Sequence, residues 1–269
     1  MSGLQVKNLS LAFRAGRGAS SQLGSPVLDQ VSWTLEPGQA LGLLGASGSG
    51  KSLSALATLG LLPAGAEILG GEIEFEGQNL LAMDAETLRT QVRGKGIGLV
   101  FQEPFTALNP LMRVGDQIAE SLSLHKGLDA GAAAKEAAAW LDRVGLTPGE
   151  SRARQYPHQY SGGMRQRALI ALALAPHPRL LIADEPTTAL DATVQAQVLG
   201  LIDRLRQELG FGLLIISHDL GVIRRLADHA VVMEKGSVVE QGTVTDLLEK
   251  PQSSAAQRLM AAYRVLAGV

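Results

Sequence analysis

The stretch ALGLLGASGSGKS, Ala40 to Ser52, decides the fold. Ala40–Leu44 is apolar apart from Gly42, the pattern of a strand covered on both faces. Glycines then alternate with small residues, and Lys51–Leu62 reads as a helix. The loop fits G-x-x-x-x-G-K-[ST], with Gly45, Gly50, Lys51 and Ser52 at the fixed places. Its glycines let backbone N–H groups close around phosphate oxygens with no Cβ in the way. In a chain of 269 residues a chance match arises on the order of once in a hundred. Here the loop also stands between a buried strand and a helix, the context that a phosphate cradle needs. On this reading Gly45, Ala46, Ser47, Gly48, Ser49 and Gly50 wrap a nucleotide's phosphates. Lys51 reaches the β and γ phosphates, and the Ser52 hydroxyl ligates Mg2+.

Working outward, strands alternate with helices. Leu4–Phe13 and Val31–Glu36 alternate apolar and polar, as half-exposed strands do, and Arg14–Pro26 reads as a loop by its Gly, Ser and Pro content. Glu72–Glu76 alternates and stops at Gly77, a hairpin edge. Ile97–Phe101, Leu180–Ala183 and Leu213–Ile216 read as buried strands. Thr193–Leu209 places Val194, Val198, Leu201, Ile202, Leu205 and Leu209 on one helical face. Buried strands alternating with helices predict an α/β fold around a mainly parallel sheet. From Glu103 to Tyr160 no strand signal is found; helices at Val114–Leu124 and Gly131–Val144 mark a small inserted helical lobe.

Composition narrows the chemistry. There is no cysteine, which removes disulfides, thiolate metal sites and cysteine nucleophiles. A net charge of -2 gives no reason to expect nucleic acid as a partner. The start, MSGLQVKNLS, lacks the basic-then-apolar order of a signal peptide. Apolar runs such as ALIALALA (Ala168 to Ala175) stop well short of the ~18–20 residues that cross a bilayer. A soluble, cytoplasmic chain is expected, with any membrane spanned by something else.

Further candidates stand at strand ends. RLLIADEP (Arg179 to Pro186) runs from an apolar strand into two carboxylates, where open α/β sheets bind ligands. By itself this could be a strand leaving the core at a charged turn. Beside a phosphate loop, Asp184 suits a Mg2+ contact and Glu185 the general base that activates water. SHD (Ser217–Asp219) ends another buried strand, and His218 is a candidate γ-phosphate contact. Gln102 follows the strand Ile97–Phe101; its amide could meet Mg2+ or the attacking water, or simply be solvated. His125, His158, His177 and His229 lack ligand spacing and take no role. A second glycine turn, YSGGMRQR (Tyr160 to Arg167), opens an apparent amphipathic helix, again the chemistry of an anion site.

GASGSGKS, FQEP, SGGMRQR, LLIADEP, TALD (Thr188 to Asp191) and SHD, in that order and across nearly the whole chain, resemble the ATP-binding subunits of ABC transporters. FQEPFTALNP, SGGMRQR and ADEPTTALD look like the dipeptide, oligopeptide and nickel importer branch, and GKSLSALATLGLLPAG is especially similar to nickel-type members. The resemblance implies a P-loop, RecA-like core with a mainly parallel sheet, an antiparallel β edge region and an inserted α-helical subdomain. It divides the single cassette of residues 1–269 into a nucleotide-binding lobe (1–102 and 161–250), a helical lobe (103–160) and a short helical tail (251–269). It also implies why there are two glycine turns: Ser161, Gly162 and Gly163 would bind the γ-phosphate of ATP held by a second subunit. Phe13 would stack on adenine, with a core phenylalanine as the alternative. The turn Thr188–Asp191, including Asp191, would face its counterpart across that interface. Tyr160 and Met164 depart from the commonest signature, LSGGQ, and no catalytic position is lost.

The expected activity is therefore ATP hydrolysis, with Mg2+, at the cytoplasmic face of the inner membrane. The implied partners are an identical or paralogous ATPase subunit, integral-membrane permeases and, indirectly, an extracytoplasmic solute-binding protein. The cargo would be nickel, a metal–chelator complex or di- or oligopeptides. The chain ends soon after Val239–Gly242, without the longer extension of many oligopeptide members, which favours the nickel-type or short members. The alternative is a soluble ABC ATPase that remodels an enzyme complex without transport, as the carbon–phosphorus lyase accessory ATPase does.

Overall fold

Strand β3 (Ala40–Leu44), buried at every residue, pairs in parallel with β8 (Gly212–Ser217) on one side and β9 (His229–Glu234) on the other. A computed structural model describes residues 3–15, 22–101, 107–188 and 190–267. Its contacts divide the chain into two units, Met1–Leu88 with Gly212–Val269, and Arg89–Phe211.

In the first unit, β10 (Ser237–Thr243) turns back antiparallel on β9, so the strands run β10-β9-β3-β8. Both β3 and β8 are apolar almost throughout because neither has a solvent face. A second, antiparallel sheet orders β1 (Leu4–Ala15), β2 (Gln22–Leu35), β4 (Ala66–Phe75) and β5 (Gln78–Asn79) as β2-β1-β4-β5. Its inward residues, among them Leu9, Leu11, Leu28, Val31 and Ile73, are fully buried, each contributing about 1.5–3 kcal/mol.

Arg14–Pro26 is not all loop. Ala15 pairs with Gln22, Arg14 with Leu23 and Ala12 with Pro26, so the two strands continue into both ends of that Gly-, Ser- and Pro-rich stretch. Pro26 is tolerated because β2 is an edge strand. Asn8 and Gln30, both at positive φ, mark irregularities in the register, and the Ser32 and Ser10 hydroxyls accept their N–H groups. Helix α1 (Lys51–Ala57) is shorter than the sequence predicts. Gly60 at φ +60°, with Gly60 N donating to Ala57 O and Leu61 N to Leu56 O, stops it in a Schellman cap.

In the second unit β6 (Ile97–Val100) lies parallel to β7 (Leu180–Asp184), with Ile97 opposite Leu180. Phe101, expected to end the strand, is outside it and 44% exposed. Helices α2 (Val114–Lys126), α3 (Ala130–Arg143) and α4 (Gly149–Ala153) follow, and no strand occurs among the described residues between 107 and 160. Asp129 caps α3 by accepting from Ala132 N, and Ala133, Ala137, Trp140 and Leu141 form its buried face. Helix α4 carries no signal in the sequence, since its five residues are too few for a helical period. Helices α5 (Gly162–Leu174) and α6 (Ala192–Leu209) flank β7 in the chain. Val198, Leu201, Ile202 and Leu205 are buried on α6, while Val194 and Leu209, at its ends, are half-buried. No helix of the described residues is long and apolar enough to cross a membrane.

Candidate functional site

The phosphate loop is shaped by its own backbone. A Cβ on Gly45 would lie 2.3 Å from the carbonyl oxygen of Met233, so only glycine lets the loop leave β3 so close to β9. Ser49 N donates to Ala46 O at 3.2 Å, and Ser54 N to Gly50 O at 2.9 Å, closing the turn into α1. Lys51 is buried, and its Nζ donates to the carbonyls of Gly45 (2.8 Å) and Ala46 (2.9 Å). The ammonium is thus tied to the same backbone whose N–H groups would face phosphate. A glycine-lined turn whose approach a Cβ would fill, carrying a buried cation and the Ser52 hydroxyl, fits a nucleotide triphosphate.

His218 belongs to the same unit. Leu44 pairs with Ser217 across parallel β3 and β8, so Gly45 and His218 leave adjacent strands at the same end. The exposed His218 is flanked by an ordered turn, in which Asp219 N donates to the Ser217 hydroxyl at 2.9 Å. The carboxylate of Asp219 accepts from Gly221 N, capping α7 (Leu220–Leu226). Phe13 sits half-buried near the end of β1, opposite Ala66 of β4. Of the histidines given no role, His229 is engaged through Nδ1 with Gln39 Nε2 at 2.7 Å.

In the second unit, β7 ends in buried Asp184, and Glu185 follows at φ +44°. A non-glycine residue in this left-handed region costs about 1–3 kcal/mol, and such strain clusters where function needs a particular aim. The Thr188 hydroxyl donates to Glu185 Oε2 at 2.7 Å. Asp191 caps α6, its Oδ1 accepting from Val194 N at 2.9 Å. The second glycine turn is the N-terminus of α5: exposed Ser161 is the N-cap, its hydroxyl accepting from Met164 N at 3.3 Å. Behind it Tyr160 is buried, donating to Arg152 O at 2.9 Å, and burial pushes its phenol up to about 12. Arg165 Nε donates to Pro157 O at 2.7 Å.

The two turns of this unit meet. A Cβ on Gly163 would lie 2.5 Å from Val194 Cγ1, and one on Gly162 would reach Leu190 Cδ2 at 3.6 Å. Gln102 lies outside the described residues. What sequence reasoning missed is Thr188 as the partner of Glu185; the available signal was the three-residue spacing across the turn EPTT. Among the described residues no cluster of three His, Asp or Glu side chains could hold a metal ion.

A family model described as ABC transporter matches residues 28–188. The chain is 46% identical over 260 residues to the peptidoglycan transport ATP-binding protein YejF of Agrobacterium fabrum, covering 96% of this chain and 46% of that protein. It is 42% identical over 264 residues to the oligopeptide transport ATP-binding protein OppD of Bacillus subtilis, covering 98% of this chain and 72% of that one. It thus spans less than half the length of the Agrobacterium relative. A solved dimeric, post-hydrolysis state of the ATP-binding cassette MJ0796, bound to ADP and Pi, superposes with a TM-score of 0.75 at 27% identity, covering 90% of this chain and 98% of that one. The chain belongs to the ABC transporter family, as one of its ATPase cassettes.

Proposed function

We propose that this chain is the ATP-hydrolysing subunit of a peptide importer and closes on a second cassette around ATP. The observation that carries the reading is the capped turn Ser161–Gly163, with Ser161 exposed, which supports a second anion site in a chain that already has a full phosphate loop. The MJ0796 cassette, similar in fold, is described as a dimer bound to ADP and Pi. A second subunit gives each loop its own role. One holds the nucleotide, and the other reads the γ-phosphate of the partner's nucleotide.

The remaining assignments follow from the chemistry of the groups. Backbone N–H groups of Gly45–Gly50 and the Lys51 ammonium hold the phosphates, and Phe13 stacks on adenine, worth about 1–3 kcal/mol. Ser52, Gln102 and Asp184 would hold Mg2+, which offsets charge on the β and γ oxygens. Glu185 accepts a proton from the attacking water, and His218 contacts the γ-phosphate. Asp191 and its turn belong to the facing surface. Loss of the γ-phosphate removes the contact to Ser161–Gly163, and opening of the pair moves a permease seated on the helical lobe, residues 103–160.

Peptides are the favoured cargo because the relatives are named for peptidoglycan and oligopeptide transport. Nickel or a metal–chelator complex is the second cargo class, carried by GKSLSALATLGLLPAG. The subunit would sit peripherally on the cytoplasmic face of the inner membrane, indirectly served by an extracytoplasmic binding protein. The test is a pull-down from detergent-solubilised membranes with Glu185→Gln and ATP. Permease subunits with a peptide-binding protein are expected, and a nickel-type binding protein would move the cargo to the metal. Soluble enzyme subunits without a permease would replace the importer by a remodelling ATPase.

A further inference from the structure

We propose that Gly236, at the tip of the β9–β10 hairpin, is a positioning residue that aims the phosphate loop for ATP; this rests on Gly45–Ser52 being the ATP cradle. The hairpin turns through Lys235 and Gly236, at φ +48° and +83°, with Glu234 paired to Ser237. Two positive φ values in a two-residue loop make the tight turn whose twist matches that of the strands. Gly236 N donates to Ser49 O at 3.1 Å, and Gly236 O accepts from Asp29 N at 2.9 Å. One residue therefore fastens the phosphate loop to β2. No other residue fits, because a Cβ on Gly236 would lie 2.3 Å from Val27 O as well as demanding a left-handed backbone.

The consequence reaches the cradle through peptide planarity. In a trans peptide the C=O and the following N–H point in opposite directions. Holding Ser49 O toward Gly236 turns the N–H of Gly50 the other way. The start of the loop is braced by the same hairpin, since Gly45 lies against Met233 O. A cradle whose donors are fixed before ATP arrives has less ordering to do on binding. The hairpin thus acts on ATP affinity without touching ATP.

The experiment compares Gly236→Ala with Gly65→Ala. Gly65 has φ +84°, and a Cβ added there meets nothing within 4 Å, so both variants carry the backbone strain but only one displaces a neighbour. Equilibrium binding of a fluorescent ATP analogue and steady-state kinetics are measured below each variant's melting temperature. Gly236→Ala should weaken ATP binding about tenfold, the equivalent of one hydrogen bond, and raise KM in step with little change in kcat. Gly65→Ala should leave both unchanged. A folded Gly236→Ala variant with unaltered ATP affinity would overturn the proposal. If that variant does not fold, hydrogen exchange on the unmodified protein decides: Mg2+–ATP should slow exchange at the Gly236 amide together with residues 45–52. Protection of 45–52 alone overturns the brace. No protection anywhere in 45–52 removes the cradle reading itself, and the brace with it.

Discussion

The Thr188 hydroxyl donates a 2.7 Å hydrogen bond to Oε2 of Glu185, across a turn that holds Glu185 at φ +44°. The Thr188 backbone N–H also donates to Glu185 O, at 3.2 Å, so the turn is closed twice by one residue. Hydrogen bonds to charged groups are worth about 1.5–3 kcal/mol. Thr188→Val should therefore lower kcat roughly tenfold or more with KM unchanged, and Thr188→Ser should stay within about threefold. Equal losses in both variants would show that the hydroxyl is not what aims the carboxylate.

Glu185→Gln keeps the size and the hydrogen-bonding reach of the side chain but removes its basicity. Turnover should fall at least ~100-fold while ATP still binds, and an ATP-bound dimer should accumulate. Size-exclusion chromatography with and without ATP reads the second effect. Undiminished turnover would take Glu185 out of the general-base role.

Gly162 and Gly163 separate recognition from packing. A side chain has room at Gly162, where Leu190 Cδ2 is 3.6 Å from an added Cβ, and an aspartate in the first turn of α5 suits the helix dipole. Gly162→Asp should keep its melting temperature and the monomer's ATP affinity, yet lose hydrolysis, because it sets a negative charge against the partner's γ-phosphate. Collapse of monomer ATP affinity would defeat the trans-acting account. Gly163→Ala instead presses on Val194 Cγ1, 2.5 Å from the new Cβ, and should cost about 1–3 kcal/mol of stability. Adding Val194→Ala should restore most of it, as measured by denaturant titration.

The His125 ring lies against Gly94, where an added Cβ would be 2.3 Å from Nε2. Burial, with the positive charges of Lys95 and Arg89, holds its pKa below the ordinary value. In the unfolded chain His125 takes up a proton near pH 6.5; in the folded protein it does so only at lower pH. Between those values the unfolded state binds more protons. Its contribution to stability is complete above pH 6.5 and is lost as pH falls. The slope for one histidine is at most about 1.4 kcal/mol per pH unit. Urea unfolding from about pH 7.5 to about pH 5 should show a shallower loss in His125→Gln. An identical slope in the variant would assign the effect elsewhere.

The sequence alone determined the features that are local and periodic. GASGSGKS declares itself because glycine, lysine and serine must stand at set intervals for one turn to hold phosphate. Ala40–Leu44 and Leu213–Ile216 declare themselves because strands covered on both faces have little place for polar side chains. The buried face of α6 follows from helical spacing, and the start of α5 from the glycine turn that opens it. Tertiary structure decided what depends on how the folded backbone places its groups, whether the partner is near or far along the chain. Strand β2 runs through Gly24, Ser25 and Pro26 because an edge strand with irregular register tolerates them, which no local rule announces. Gly236 looks like any hairpin glycine until Ser49 and Asp29 are found bonded to its two sides. Thr188 reads as one more turn residue until its hydroxyl is seen on Glu185. The physical reason is common to all three. A hydrogen bond that depends on how the backbone folds leaves no periodic mark in the sequence, and only the folded chain brings donor and acceptor within about 3 Å of each other.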